Sequence, residues 1–270
     1  MVGRRKRQLS KTSTMYVALG IVLITLMALI GTSAFMRTLE ISVKGVHIYS
    51  TDEIIEASGV SIGENLLFIN TQTVSQRIRN AMPFVNVAQV TRILPATVLI
   101  EITESTAIAA VRYAGVEYVI DSSGRVLADS SDYSPSALLD EEGNKLHLID
   151  IRGLDIDTPV VGNMLRSEFG SEMKLIYVQD ILAAFEHDAM QNDVSFLDVS
   201  NIVNVHFEYL GFYRVNLGGS SNLRQGNLQH NMERLPVAVA EAQARFPSNA
   251  HVDINMTDVN RPPTLRERLN

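Results

Sequence analysis

"PFVNVAQVTRILPATVLIEITE", residues 83–104, sets two apolar runs around a Leu94-Pro95-Ala96-Thr97 corner. Val98, Ile100 and Ile102 alternate with neighbours that are mostly polar, which is the period-two pattern of a strand with one buried face; Leu99 alone interrupts the polar side. The run before the corner, 85–92, alternates less cleanly and reads as a strand that is bulged or partly covered on both faces. Pro95 falls in the connection, where its missing N–H removes no ladder bond. Arg92 closes the first run and Glu104 the second. As residues alone they are solvated strand-end charges or a modest structural pair, and neither points to catalysis.

Working back from this hairpin, "TVSQRIRNAM" (73–82) places Val74, Ile78 and Met82 on one helical face. Thr73 and Gln76 have capping-box spacing, and Pro83 stops the helix. "SIGENLLFIN" (61–70) is a turn with an apolar patch. "STDEIIEASGV" (50–60) predicts a short helix over 51–58, with Ser50 and Glu53 as a capping box and Gly59 ending it. In "LEISVKGV" (39–46), Leu39, Ile41 and Val43 oppose Glu40, Ser42 and Lys44, so a half-buried strand opens the unit. The order is β-α-α-β-β.

Ahead of it, Thr12 to Met36 holds no charged residue, and its strongly apolar part, residues 15–36, would span about 33 Å as a helix, against a hydrocarbon core of about 30 Å. Arg4, Arg5, Lys6, Arg7 and Lys11 precede it; the overall charge is −7, so the chain after residue 11 carries −12. By the positive-inside rule, residues 1–14 are a cytoplasmic basic tail, 15–36 a transmembrane helix, and the remainder extracytoplasmic. A cleaved signal peptide is the rival reading, since Gly31-Thr32-Ser33-Ala34 offers small residues to a signal peptidase, although the apolar run is longer than the usual signal core. The acidic body argues against nucleic acid, and a chain without cysteine has no disulfide, thiol nucleophile or thiolate metal site.

The first extracytoplasmic segment resembles the POTRA domain of the bacterial division family FtsQ/DivIB. "VKGV" (43–46), "YSTDEIIEASGVSIGENLL" (49–67) and "PFVNVAQVTRILPATVLIEITESTAIA" (83–109) carry the resemblance. The signature positions are Gly45, Pro83, Phe84, Arg92, Pro95 and Glu104, supported by Val90, Leu94, Thr97, Ile100 and Ile102. Ser105 and Ala107 depart from it, standing where the family usually has a basic residue and a proline.

Beyond this domain, "GVEYVIDSSGRVL" (115–127) is a strand, a turn and a strand. Asp121, Gly124, Val126 and Leu127 resemble the family's D-x-x-G-x-V opening of a second, β domain. Residues 129–145 read as a loop and "LHLIDI" (146–151) as a strand. Leu175, Val178, Leu182, Phe185 and Ala189 form one stripe of a helix over 172–190. "VSFLDV", "NVHFEYL" and "FYRVNL" are further strands. Residues 222–246 are helical, with a kink or break expected at Pro236. "HVDINM" (251–256) is a last short strand, and 258–270 reads as a flexible tail. The fold class is α+β: a POTRA domain over 39–106 and a mixed domain over 107–257.

Candidates for chemistry are few. Ser171 and Lys174 have the S-x-x-K spacing of penicillin-recognising enzymes, but the motifs that accompany it there are missing, and a helix start is the better reading. Asp155 and Asp157 flank Ile156 in what reads as an exposed loop, and the six histidines show no metal spacing. His206 lies in a strand, facing solvent or a partner. "LPAT" (94–97) matches a sortase signal only superficially, and "LGGSSN" (217–222) reads as a turn rather than an anion cradle. No cofactor is expected.

The resemblance implies a non-catalytic, single-pass scaffold of the divisome in the cytoplasmic (inner) membrane at the septum. Its implied partners are FtsB/DivIC-type and FtsL-type coiled-coil proteins, and through them the septal peptidoglycan machinery. The contact expected is strand addition at an unpaired edge formed by Val252, Asp253, Ile254, Asn255, Met256 and Thr257, with Val252, Ile254 and Met256 on one face. Asn255 and Met256 replace the arginine and aromatic usual in the family. A membrane-anchored cell-wall enzyme and another POTRA-containing assembly factor are the alternatives.

Overall fold

The computed structural model describes residues 11–130, 138–139, 145–219 and 225–268, without the side chains of 11–14, 28–35 and 225–226. Arg4 to Arg7 of the basic tail, most of the 129–145 loop and Ser220 to Asn222 lie outside the described residues. The chain divides into two units. One takes the chain through Ile78 together with Val87–Thr103; the other takes Arg79–Asn86 and everything from Glu104 onward.

Helix α1 (Lys11–Phe35) opens the first unit, beginning inside the segment read as a tail. Its described large apolar side chains, from Met15 to Met27, are exposed. Among the described residues no helix is long and apolar enough to cross a membrane. Strand β1 (Glu40–Lys44) follows, then α2 (Thr51–Ser58), α3 (Thr71–Ala81), β2 (Val85–Ile93) and β3 (Thr97–Glu104). The three strands form one sheet in the order β1-β3-β2, with β1 parallel to β3 from Glu40 opposite Thr97 to Lys44 opposite Glu101. This is the β-α-α-β-β order read from the sequence.

Local chemistry explains the boundaries. Ser50 and Glu53 make the capping box of α2 reciprocally: the Glu53 amide donates to Ser50 Oγ at 3.3 Å and the Ser50 amide to the Glu53 carboxylate at 2.7 Å. Gly59 then leaves the helix in the left-handed region. The cap of α3 is different from the one expected. Asn70 Oδ1 accepts from the amides of Gln72 and Thr73, both at 3.1 Å, so Asn70 takes the place read for Thr73. Gly45, just past β1, has φ +79°, and a Cβ there would lie 2.2 Å from the carbonyl oxygen of Ile102, so a side chain fails on both counts. Ile54, Leu66, Val74, Ile78, Val98 and Ile100 are among the buried residues of this unit.

The second unit is one nine-stranded sheet with two helices. In chain order its elements are β4 (Ala109–Tyr113), β5 (Val116–Ile120), β6 (Val126–Asp129), β7 (Ile149–Arg152), α4 (Glu172–His187), β8 (Val194–Asp198), β9 (Val205–Tyr209), β10 (Tyr213–Gly218), α5 (Gln225–Arg245), β11 (Val252–Asn255) and β12 (Thr264–Glu267). The spatial order is β12-β11-β10-β9-β8-β7-β4-β5-β6. Pro236 sits inside α5, which runs on without the break its sequence predicts. One core joins both helices to the sheet, with Phe185 of α4 edge-on to Phe207 of β9 at 4.9 Å between ring centroids.

Two strands go beyond the sequence reading. β4 lies in a stretch of buried Ala and Val with no alternation to mark it. β12 lies in the tail expected to be flexible, and it pairs antiparallel with β11, from Val252 opposite Glu267 to Asn255 opposite Thr264. The expected free edge at 251–257 is therefore occupied, and β12 is the terminal strand of the sheet.

Candidate interaction surface

The alternation in 252–257 sorts the named residues by face. Val252, Ile254 and Met256 are buried to 1% exposure or less and belong to the core under α5. Asp253 and Thr257 are half-buried on the opposite side, and Asn255 is exposed. A partner cannot reach the three apolar side chains without unfolding the unit, so that part of the expected site is structural. With β11 paired on both sides, its backbone is taken as well.

The edge that remains is built differently. β12 has four residues, of which Thr264, Arg266 and Glu267 are exposed, and Pro262 and Pro263 precede it. Shortness, charge and flanking prolines are the usual guards against indiscriminate strand pairing. Across the solvent face, Glu208 on β9, Arg214 on β10, Asp253 on β11 and Arg266 on β12 stand in register, an alternating charge ladder that ends at the free edge.

Two arginines fasten the edge strand. Arg268 donates its backbone N–H to the His251 carbonyl at 2.8 Å, and its guanidinium lies 3.0 Å from His251 Nδ1. The same guanidinium stands 3.9 Å from both Glu208 and Asp253, giving the Asp253 oxygen, buried and without a hydrogen bond, its compensating charge. Arg234 of α5 donates to the Val259 carbonyl at 3.1 Å and to that of Arg261, so the β11–β12 connection is tied to the helix. Neither arginine stands out in the sequence. Leu265 is the single apolar residue of β12, too little for a period-two signal, and the proline pair before it is the one local mark of a turn.

The signature residues of the first domain have structural work. Arg92 donates to the Leu67 carbonyl at 3.0 Å, holding the 61–68 turn against the end of β2. The Leu94–Pro95 bond is cis. Phe84 is buried, while Pro83 and Glu104 are half-buried. Ser105 is buried, and its hydroxyl donates to Asp121 Oδ2 at 2.7 Å. Asp121 Oδ1 accepts from the Ser123 amide and hydroxyl and from the Arg125 amide, which makes the D-x-x-G turn a carboxylate-centred one. Arg125, buried beside it, donates to the carbonyls of Pro83 at 3.0 Å and Arg79 at 2.9 Å.

The catalytic candidates sort the same way. Lys174 Nζ lies 2.7 Å from Asp155 Oδ2 and 2.8 Å from the Gly153 carbonyl, and Ser171 Oγ donates to the same carboxylate at 3.0 Å. The Lys174 ammonium, then the Ser171 hydroxyl, hold the Asp155 carboxyl below its ordinary value. The Lys174 ammonium and the Ser171 hydroxyl are thus both directed at one carboxylate. Asp157 instead accepts from the Thr158 amide at 2.8 Å. His206 stands edge-on to Phe196 and 4.0 Å from Asp198. No group of His, Asp and Glu among the described residues has the spacing to hold a metal ion.

Comparison with known proteins agrees with the geometry of the first domain. Residues 36–105 match the POTRA domain of the FtsQ type. Over this stretch the chain carries an FtsQ-type POTRA domain. It is 29% identical over 92 residues to the cell division protein FtsQ of Streptomyces collinus, covering 34% of this chain and 35% of that protein. It is 31% identical over 108 residues to the cell division protein FtsQ of Corynebacterium glutamicum, covering 38% of this chain and 48% of the relative. The matched stretches thus span between a third and a half of the length of these two FtsQ proteins.

Proposed function

We propose that this protein is a non-catalytic scaffold of the bacterial division machinery, anchored by residues 15–36 with its N-terminus in the cytoplasm and its two folded units outside. The FtsQ-type POTRA domain supports the division role, as do two relatives that are themselves cell division proteins. The anchor is supported by an uncharged run that is helical as far as Phe35 and exposes its described large apolar side chains. Such a helix is stable in lipid and unfavourable in water.

The partner-binding mechanism is strand addition at β12, laid on the 252–257 strand as its template. The observation that carries it is the terminal position of β12 in a nine-stranded sheet whose other strands up to β5 are paired on both sides. Main-chain bonds to a partner strand supply affinity there, and Arg266 with its charge ladder supplies choice. FtsB/DivIC-type and FtsL-type membrane proteins are the expected partners, and control of septal peptidoglycan synthesis is the expected output.

The test is co-purification of the full-length protein with such a partner in detergent. The Arg268 amide points inward to His251, and successive N–H groups of a strand alternate, so the amides of Leu265 and Glu267 point outward and prolines at both remove outward donors while leaving the bonds to β11. Capture should be lost while the thermal transition of the sheet domain is kept. Undiminished capture by the double variant would falsify edge addition at β12.

A further inference from the structure

The first unit gathers exposed apolar side chains at the end where the chain leaves α1. Three segments meet there. The Leu66 amide donates to the Met36 carbonyl at 2.8 Å, the Thr38 amide to Glu64 at 2.8 Å, and the Gly63 amide to Thr38 at 2.7 Å. The Leu39 amide donates to the Ala96 carbonyl at 2.8 Å, and Arg92 holds Leu67. Thr38 is wholly buried at the centre, so residues 36–39, 61–68 and 92–96 form one ordered surface. On it Phe68 is 79% exposed, Leu39 72%, Ile62 63% and Leu94 57%, with Leu67 and Ile93 beside them. Water-facing patches of this kind mark interaction sites.

We propose that this apolar rim lies in the interfacial layer of the membrane, seating the POTRA domain on the lipid surface. The inference rests on the reading of α1 as the anchor. Leu39 is four residues past the last residue of α1, so it stands at most about 14 Å from the helix end. The headgroup region on each side of the hydrocarbon is about 5–8 Å deep. The tether therefore keeps the rim within reach of that region. Phe, Leu and Ile at this depth bury against the headgroup–acyl boundary, as the apolar face of an interfacial helix does. Exposed Arg37 and Arg92 stand within the same segments, where a guanidinium pairs with lipid phosphate. Seating at several points fixes the height of the domain, whereas a single-chain tether would leave it free.

The protein has no tryptophan, so one introduced indole reports alone. Full-length Phe68→Trp, Val87→Trp and Leu23→Trp are reconstituted in phosphatidylethanolamine–phosphatidylglycerol vesicles carrying bromine at shallow or deep acyl positions. Val87, half-exposed on β2, precedes Ile93 by six residues and lies about 20 Å along the strand from it. The rim indole of Phe68→Trp should emit to the blue of the control indole of Val87→Trp. It should also lose more than half its intensity to the shallow label, while the control keeps its own. A rim indole as bright as the control, with the indole of Leu23→Trp quenched by the deep label, overturns the rim while the anchor stands, and leaves the patch to a protein partner. Equal quenching of the rim and control indoles overturns it too, because the contact would not be confined to this end. An unquenched indole in Leu23→Trp overturns the anchor, and the rim with it.

Discussion

Asp121 shows how one carboxylate organises its surroundings. It is buried, yet four donors reach it, from Ser105, Ser123 twice and the Arg125 amide, so its charge is solvated by the protein. Ser105, which departs from the family pattern, supplies one of those donors; a departure in the signature has become a partner in the fold. Asp155 is the exposed counterpart. Its carboxyl is held below the ordinary value by Lys174 and then Ser171, so this pairing stabilises the fold above the ordinary carboxylate pKa near 4 and is lost as pH falls through the depressed value. Asp155→Asn should therefore cost more stability at pH 7 than at pH 2. After solvent screening, the loss for so exposed a pair is about 0.2–1 kcal/mol. Chemical denaturation of both proteins at the two pH values measures it. An equal gap at both would mean that packing, not charge, is what the substitution removes.

At the scale of the element, β12 is the strand whose placement matters most and whose local signal is weakest. Four residues with one half-buried leucine supply little hydrophobic free energy, so the strand is held by backbone pairing and by Arg268 and Arg234. A hydrogen bond to a charged group is worth about 1.5–3 kcal/mol. Replacing both arginines by alanine should raise amide exchange across Val252–Asn255 at least tenfold, with β8 and β9 unchanged. Hydrogen exchange followed by mass spectrometry reads this directly, and unaltered protection of β11 would show that the two arginines do not hold the cap. The same reasoning explains the helices. α2 is marked by its box and its glycine, whereas α5 carries a proline and still runs unbroken because its stripe from Leu228 to Ala242 is buried on the sheet.

For the molecule as a whole, charge and hydropathy are divided along the chain: a cluster of +5, an uncharged apolar run, then a body of −12. On the proposed topology the basic cluster sets the orientation. Replacing Arg4, Arg5, Lys6 and Arg7 by glutamine should let a fraction of the chains insert reversed. A C-terminal tag, protected from external protease in intact inverted vesicles for the parent protein, should become cleavable in that fraction. Uniform protection would show that the translocated domains, not the cluster, decide orientation.

Elements with a dense local signal are legible in the residues. The POTRA order, the box at Ser50, the turn at Asp121 and the inward face of Val252, Ile254 and Met256 each rest on a period or a cap spelled out within about ten positions. The N-terminal apolar run is equally plain, because hydropathy needs no neighbours. Tertiary structure alone decides which strand is last in the sheet. β4 has no alternation because both its faces are covered. β12 has almost no apolar content because its pairing is with backbone, and its fastening is by one arginine of α5, far upstream, and another just beyond its own end. Strand neighbours are chosen by contacts distant in sequence, and no local period records them.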